Sequence, residues 1–128
     1  MNTSVSKKTI LIIEDEESLR NALCDKITRE GFLTLEAKNG EQGLEIALAK
    51  HPDLILLDIL MPIMDGLTVL KKLGEDEWGR EAKVIMLTNL SDTENVAVAA
   101  EHGSRDYLVK SYWKIEDVVA KVKEKLKA

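Results

Sequence analysis

Short aliphatic runs alternate with amphipathic stretches along this chain. Thr9–Ile13 is apolar and reads as a buried strand, followed by Glu14-Asp15-Glu16-Glu17. Leu19, Ala22, Leu23 and Ile27 then recur at helical spacing, and Gly31 ends that helix. Phe32–Ala37 alternates more weakly and predicts a second strand. Asn39-Gly40 makes a turn with Asn39 as N-cap, and Leu44, Ala47 and Leu48 give the next helix its apolar stripe. Leu54–Leu57 is continuously aliphatic, as expected of a strand buried on both faces, and it runs into Asp58. Pro62 and Asp65-Gly66 mark a turn and a helix start, and Leu67, Leu70 and Leu73 carry a third helix. Residues 74–79 read as a polar surface connection. Lys83–Leu87 predicts a fourth strand ending at Thr88, and Ser91-Asp92-Thr93-Glu94 matches a capping box. Val96, Ala99 and Ala100 give the following helix a thin face, closed by Gly103. Tyr107–Val109 is a fifth strand delivering Lys110, and Ile115, Val118, Val119, Val122 and Leu126 line a last helix with basic residues in its final turn.

Strict strand–helix alternation implies a parallel sheet covered on both faces by right-handed crossovers. All strand C-termini then share one edge, where open α/β sheets place their chemistry. Glu14, Asp15, Asp58, Thr88 and Lys110 would meet there. The second strand contributes no such residue, which places it at the sheet margin. Taken alone, Asp58 is equally well read as a cap of its strand or turn; the joint placement is what points to a site.

Totals narrow the function. The 128 residues suit one domain. A net charge of -5 without a long Lys/Arg cluster argues against direct nucleic-acid binding. The chain has no apolar run of membrane-span length and no signal-peptide core near Met1, so a cytoplasmic protein without membrane partners is expected. Cys24 alone excludes an intrachain disulfide and reads as a core or boundary residue. His51 and His102 read as exposed helix-end residues, Trp78 and Trp113 as loop packing, and no His/Cys cluster has zinc spacing.

Three close carboxylates need a cation at neutral pH. All-oxygen ligation with few protein ligands suits Mg²⁺, which keeps waters and accepts phosphate oxygens. Lys110 adds a fixed positive charge and Thr88 a hydroxyl donor. Around one carboxylate these groups form a cradle for a phosphoryl group, and aspartate is a competent nucleophile for one.

With Glu14-Asp15, Asp58 in Leu57-Asp58-Ile59-Leu60-Met61-Pro62-Ile63-Met64-Asp65-Gly66, Thr88, Tyr107 and Lys110, the chain resembles the receiver domain of two-component response regulators along nearly its whole length. The resemblance implies a flavodoxin-like (βα)5 three-layer sandwich with a parallel sheet in the order 2-1-3-4-5, the order for which a receiver is a known example. It implies a receiver unit over residues 9–127 after a polar extension, 1–8. Asp58 would be the phosphoacceptor. Asp15 and Asp58 would bind Mg²⁺ (or Mn²⁺), with Glu14 through water and the Leu60 backbone carbonyl as a further ligand. Thr88 would bond the phosphoryl oxygen, Lys110 would pair with phosphate or Asp58, and Tyr107 would be the switch aromatic that turns inward as Thr88 moves.

The implied partners are a histidine kinase or histidine phosphotransfer protein, a downstream effector and, on phosphorylation, a second copy of the chain. The chain would be a phosphoacceptor with Mg²⁺-dependent self-phosphorylation and autodephosphorylation, and no enzyme beyond that. Two hydrogen bonds to a charged phosphoryl group, at about 1.5–3 kcal/mol each, barely reach the ~5.5 kcal/mol that inverts a 1:99 equilibrium. Partial activation by phosphate alone is therefore expected, completed by a partner on the surface of the fourth helix, fifth strand and last helix.

Two departures from the family pattern matter. Ser111 stands where the family usually has proline after the lysine, so a trans Lys110–Ser111 bond is expected, since a cis bond there costs about 3–4 kcal/mol. Asn89 stands where the family usually has a small residue, which bears on phosphoryl lifetime. Competing readings are a pseudo-receiver that only binds partners and an Asp-nucleophile phosphohydrolase. The latter wants an acidic residue two places after the nucleophile, where Leu60 stands. A flavin binder is rejected because Glu14-Asp15-Glu16-Glu17 would repel phosphate.

Overall fold

The computed structural model describes residues 7–59, 61–88, 106–109 and 114–127, with residues 88 and 106–109 described through their backbone. Five parallel strands, β1 (Thr9–Ile13), β2 (Leu33–Ala37), β3 (Leu54–Asp58), β4 (Val84–Thr88) and β5 (Asp106–Val109), form one sheet in the order β2-β1-β3-β4-β5. The flavodoxin-like order is the one expected, with β2 at the margin. Period-two alternation divides the inward residues between two cores. Ile10, Ile12, Leu54, Leu56, Ile85 and Leu87 pack under α1 (Glu17–Arg29) and the C-terminal helix (Ile115–Lys127). Leu11, Ile13, Ile55, Leu57, Val84 and Met86 pack under α2 (Gly40–Lys50) and α3 (Gly66–Gly74). The result is three layers, with β3 buried along its whole length.

Local chemistry sets the element ends. Asp53 clamps the start of β1: its Oδ2 accepts from the Thr9 N–H at 2.7 Å, and its own N–H donates to the Thr9 carbonyl at 2.8 Å. Asn39 caps α2, accepting from the Gln42 N–H at 2.8 Å, as expected from the sequence. Asp65 caps α3 in the same way through the Thr68 N–H. Gly31, at φ 99°, follows the end of α1 in a left-handed conformation that favours glycine.

The apolar stripe of α2 differs from the expected one. Gly40, Gly43 and Ala47 line its buried face, while Leu48 is 38% exposed. The reason is close approach: a Cβ on Gly43 would run into Ile13, so the tightest line of contact takes the smallest residues. The connection after α3 is polar and mostly exposed, but it is more ordered than a plain surface loop. It holds a 3-10 turn at Gly79–Glu81, and Gly79 is buried because a Cβ there would strike the Leu73 carbonyl. Trp78 stacks on the His51 ring at the end of α2, centroids 4.3 Å apart, and packs against the core on that side of the sheet. His51 is an exposed helix-end residue, as expected, and it turns the chain out of α2 in a left-handed conformation, φ 49°. The expected helix after Ser91, and His102, Gly103 and Trp113, lie outside the described residues.

Candidate functional site

Backbone register brings the acidic residues together. Ile13 pairs with Leu57, so the next residues on the two strands, Glu14 and Asp58, leave the sheet side by side. Asp58 pairs with Leu87 on the other flank, which puts Thr88, the last residue of β4, just beyond it. Glu14, Asp15 and Asp58 each offer a carboxylate oxygen within 4.8 Å of the others. Glu14 is fully buried, Asp58 is 3% exposed, and Asp15 is exposed at the mouth. Like charges at that spacing repel by roughly 3–4 kcal/mol per pair at an effective dielectric of about 20. A hard divalent cation relieves that repulsion, and the donor set, all oxygen and part buried, fits one.

The neighbouring backbone holds these groups still. The Glu14 N–H donates to the Ala37 carbonyl at 3.0 Å, and its side-chain Oε2 accepts from the Glu16 N–H at 3.0 Å. Past Asp58, the Ile59 N–H donates to the Leu87 carbonyl at 3.2 Å, and the Ile59 carbonyl accepts from the Gly66 N–H at 2.8 Å. Gly66 lies so close to the Asp58 carbonyl that any Cβ there would collide with it. Asp58 is thus fixed by β4 on one side and by the start of α3 on the other.

The remaining expected site residues are placed less fully. Thr88 pairs with Val109, and Tyr107 pairs with Met86 two rows inward, so both backbones lie near the same edge. The exchange expected of Thr88 and Tyr107 concerns side chains outside the described set. Leu60, Asn89, Lys110 and Ser111 lie outside the described residues, and with them the carbonyl ligand, the lysine contact and the Lys110–Ser111 bond geometry. Sequence reasoning missed Arg20. Its Nη1 donates to the Glu14 carbonyl at 2.8 Å, and its Nε lies 3.4 Å from Glu36 Oε1. No motif marks such a residue; only its place six residues after Glu14, in the first turn of α1, could have drawn notice.

This doubly wound sheet, with acidic groups at its carboxyl edge, belongs to a known class. Residues 10–123 match the family described as response regulator receiver domain. The chain is 37% identical over 118 residues to the transcriptional regulatory protein SrrA of Staphylococcus aureus, covering 92% of this chain and 47% of that protein. It is 36% identical over 102 residues to the transcriptional regulatory protein AfsQ1 of Streptomyces coelicolor, covering 80% and 44%. Among solved structures it resembles a response regulator receiver domain protein (CheY-like) from Methanospirillum hungatei JF-1, with TM-score 0.88, 29% identity and 95% of each chain covered. It also resembles the receiver domain of the Francisella response regulator 1452, with TM-score 0.85, 28% identity and coverage of 94% and 98%.

The chain belongs to the response regulator receiver family, the signalling domains of two-component systems. It spans a little under half the length of the curated relatives it matches. These likenesses favour neither the phosphohydrolase nor the pseudo-receiver reading. Among the described residues no helix is long and apolar enough to cross a membrane.

Proposed function

We propose that Asp58 accepts a phosphoryl group from a phosphohistidine of a histidine kinase or histidine phosphotransfer protein. A carboxylate oxygen of Asp58 attacks phosphorus. The phosphorus–nitrogen bond breaks, its electron pair stays on the imidazole, and an acyl phosphate remains on the protein. Asp15 and Asp58, with Glu14 through water and the Leu60 carbonyl, would hold Mg²⁺ or Mn²⁺, which supplies charge neutralisation on the transferring oxygens. Thr88 donates to a phosphoryl oxygen, and Lys110 pairs with another. Tyr107 follows Thr88 inward and changes the surface that an effector, or a second copy of the chain, reads. Residues 9–127 form the receiver unit and 1–8 an extension before it. The chemistry is limited to taking up and losing this one phosphoryl group.

The observation that carries this reading is the meeting of Glu14, Asp15 and Asp58 at one sheet edge in a chain of this family. Intact mass after incubation with Mg²⁺ and a small acyl phosphate tests it. A stoichiometric adduct is expected that requires Mg²⁺ and disappears in Asp58→Asn. An adduct that survives the substitution, or none in the wild type, overturns it. Mg²⁺ at about a hundred times its Kd should also stabilise the fold by about 2.7 kcal/mol, reversed by chelation.

A further inference from the structure

We infer that Arg20 is the positioning residue of the acidic site: its guanidinium, anchored on Glu36, holds the Glu14 peptide so that the acidic trio is preformed for a divalent cation. This rests on the metal reading of that trio given above. Four contacts converge on the Glu14 segment. Its N–H is taken by the Ala37 carbonyl, its carbonyl by Arg20 Nη1 at 2.8 Å, its carboxylate by the Glu16 N–H, and the Glu16 carbonyl by the Arg20 N–H at 2.9 Å. Arg20 is therefore bound twice, by backbone and by side chain, to the two residues flanking Asp15.

The Arg20 side chain is only 14% exposed, and its Nε reaches Glu36 on the marginal strand at 3.4 Å. Glu36, half exposed, lies near the Cys24 thiol, which α1 presents one turn after Arg20. A planar, rigid fork suits this bridge between a carbonyl and a carboxylate; a lysine ammonium lacks that fork and holds the two less rigidly. Glu36 also balances the positive charge, so the site keeps its attraction for a cation. Groups that orient a metal's ligands change its affinity by about 10–100-fold when removed.

The test separates geometry from charge. Mg²⁺ affinity is measured by calorimetry for the wild type, Arg20→Lys, Arg20→Met, Glu36→Gln and Asp58→Asn. The thermal midpoint of each in chelator reports fold integrity, and the Glu14 and Glu16 amide NMR signals report loop order. Arg20→Met should bind Mg²⁺ about tenfold more weakly. Arg20→Lys, at constant charge, should lose part of that affinity, and Glu36→Gln less, with broadened Glu14 and Glu16 amides in each. Glu36→Gln, at a half-exposed edge position, keeps the test open if the Arg20 variants unfold. Unchanged Mg²⁺ affinity in the variants that fold, while Asp58→Asn is weakened, overturns the inference and leaves the function standing. Tighter binding by Arg20→Met overturns it in favour of simple charge repulsion. A wild type that binds no Mg²⁺ overturns both.

Discussion

At the scale of single residues, environment decides which nucleophile can act. Cys24 is 8% exposed in the core layer under α1. Burial, then the nearby Glu36 carboxylate, push its thiol from an ordinary 9.0 up to about 12. The thiolate is the reactive form, so the folded protein should resist alkylation at pH 8.5, and labelling followed by intact mass should track unfolding. The sign of the pH effect follows. An unfolded chain releases this proton above about 9 and the folded chain keeps it to about 12, so this contribution to stability is full below 9 and fades as pH rises. Thermal midpoints across that range in wild type and Cys24→Ala check it: the variant should show a shallower alkaline loss. Asp58, 3% exposed, is no less buried, but it stands at the carboxyl edge of the sheet beside Glu14 and the exposed Asp15, and that suits it to chemistry.

Among elements, the connection from β3 to α3 carries the most constraint. Ile63 sits at φ 72° with its side chain 74% exposed, and the Met64 N–H bonds back to the Pro62 carbonyl at 2.8 Å. A β-branched residue at positive φ in so tight a turn stores about 1–3 kcal/mol. The surroundings impose it. Gly40 of α2 packs against the Met64 carbonyl, Asp65 caps α3, and the Gly66 N–H reaches back to Ile59. Ile63→Gly should therefore raise stability by about 1 kcal/mol in urea titration, since relief of strain exceeds the added freedom of the unfolded chain. Asp65→Ala should lower it by about 1 kcal/mol through loss of the cap. The turn and cap were legible in Pro62 and Asp65-Gly66. The strain was not, because Ile63 is an ordinary residue locally, and its φ is set by α2 and β3 packing on either side.

Across the whole molecule, the two helices of one covering layer are tied by a long-range contact as well as by apolar burial. Lys123 of the C-terminal helix bonds Glu30 at the end of α1 at 2.7 Å, and this contact holds the Glu30 carboxyl below its usual range. Its contribution is present above the ordinary value near 4.5 and is lost as pH falls through the lowered folded value. Glu30→Gln should flatten the acid limb of the stability profile slightly, with little change at neutral pH, as read by thermal midpoints from pH 3 to 7. A larger neutral-pH loss would mean that the pair does more than an exposed ion pair usually does.

Local pattern was enough for the element order, the parallel sheet with its marginal second strand, and the acidic residues at its carboxyl edge. Those follow from local periodicity and from the rule that strands of one direction end on one side. It also marked Asn39 and the buried Cys24. Tertiary structure alone decided which small residues of α2 touch the core, the strained turn at Ile63, the His51–Trp78 stack and the bridge from Arg20 to Glu14 and Glu36. Each of these depends on how close elements come and at what angle. That distance is fixed only when the whole core packs, so no local pattern in the chain records it.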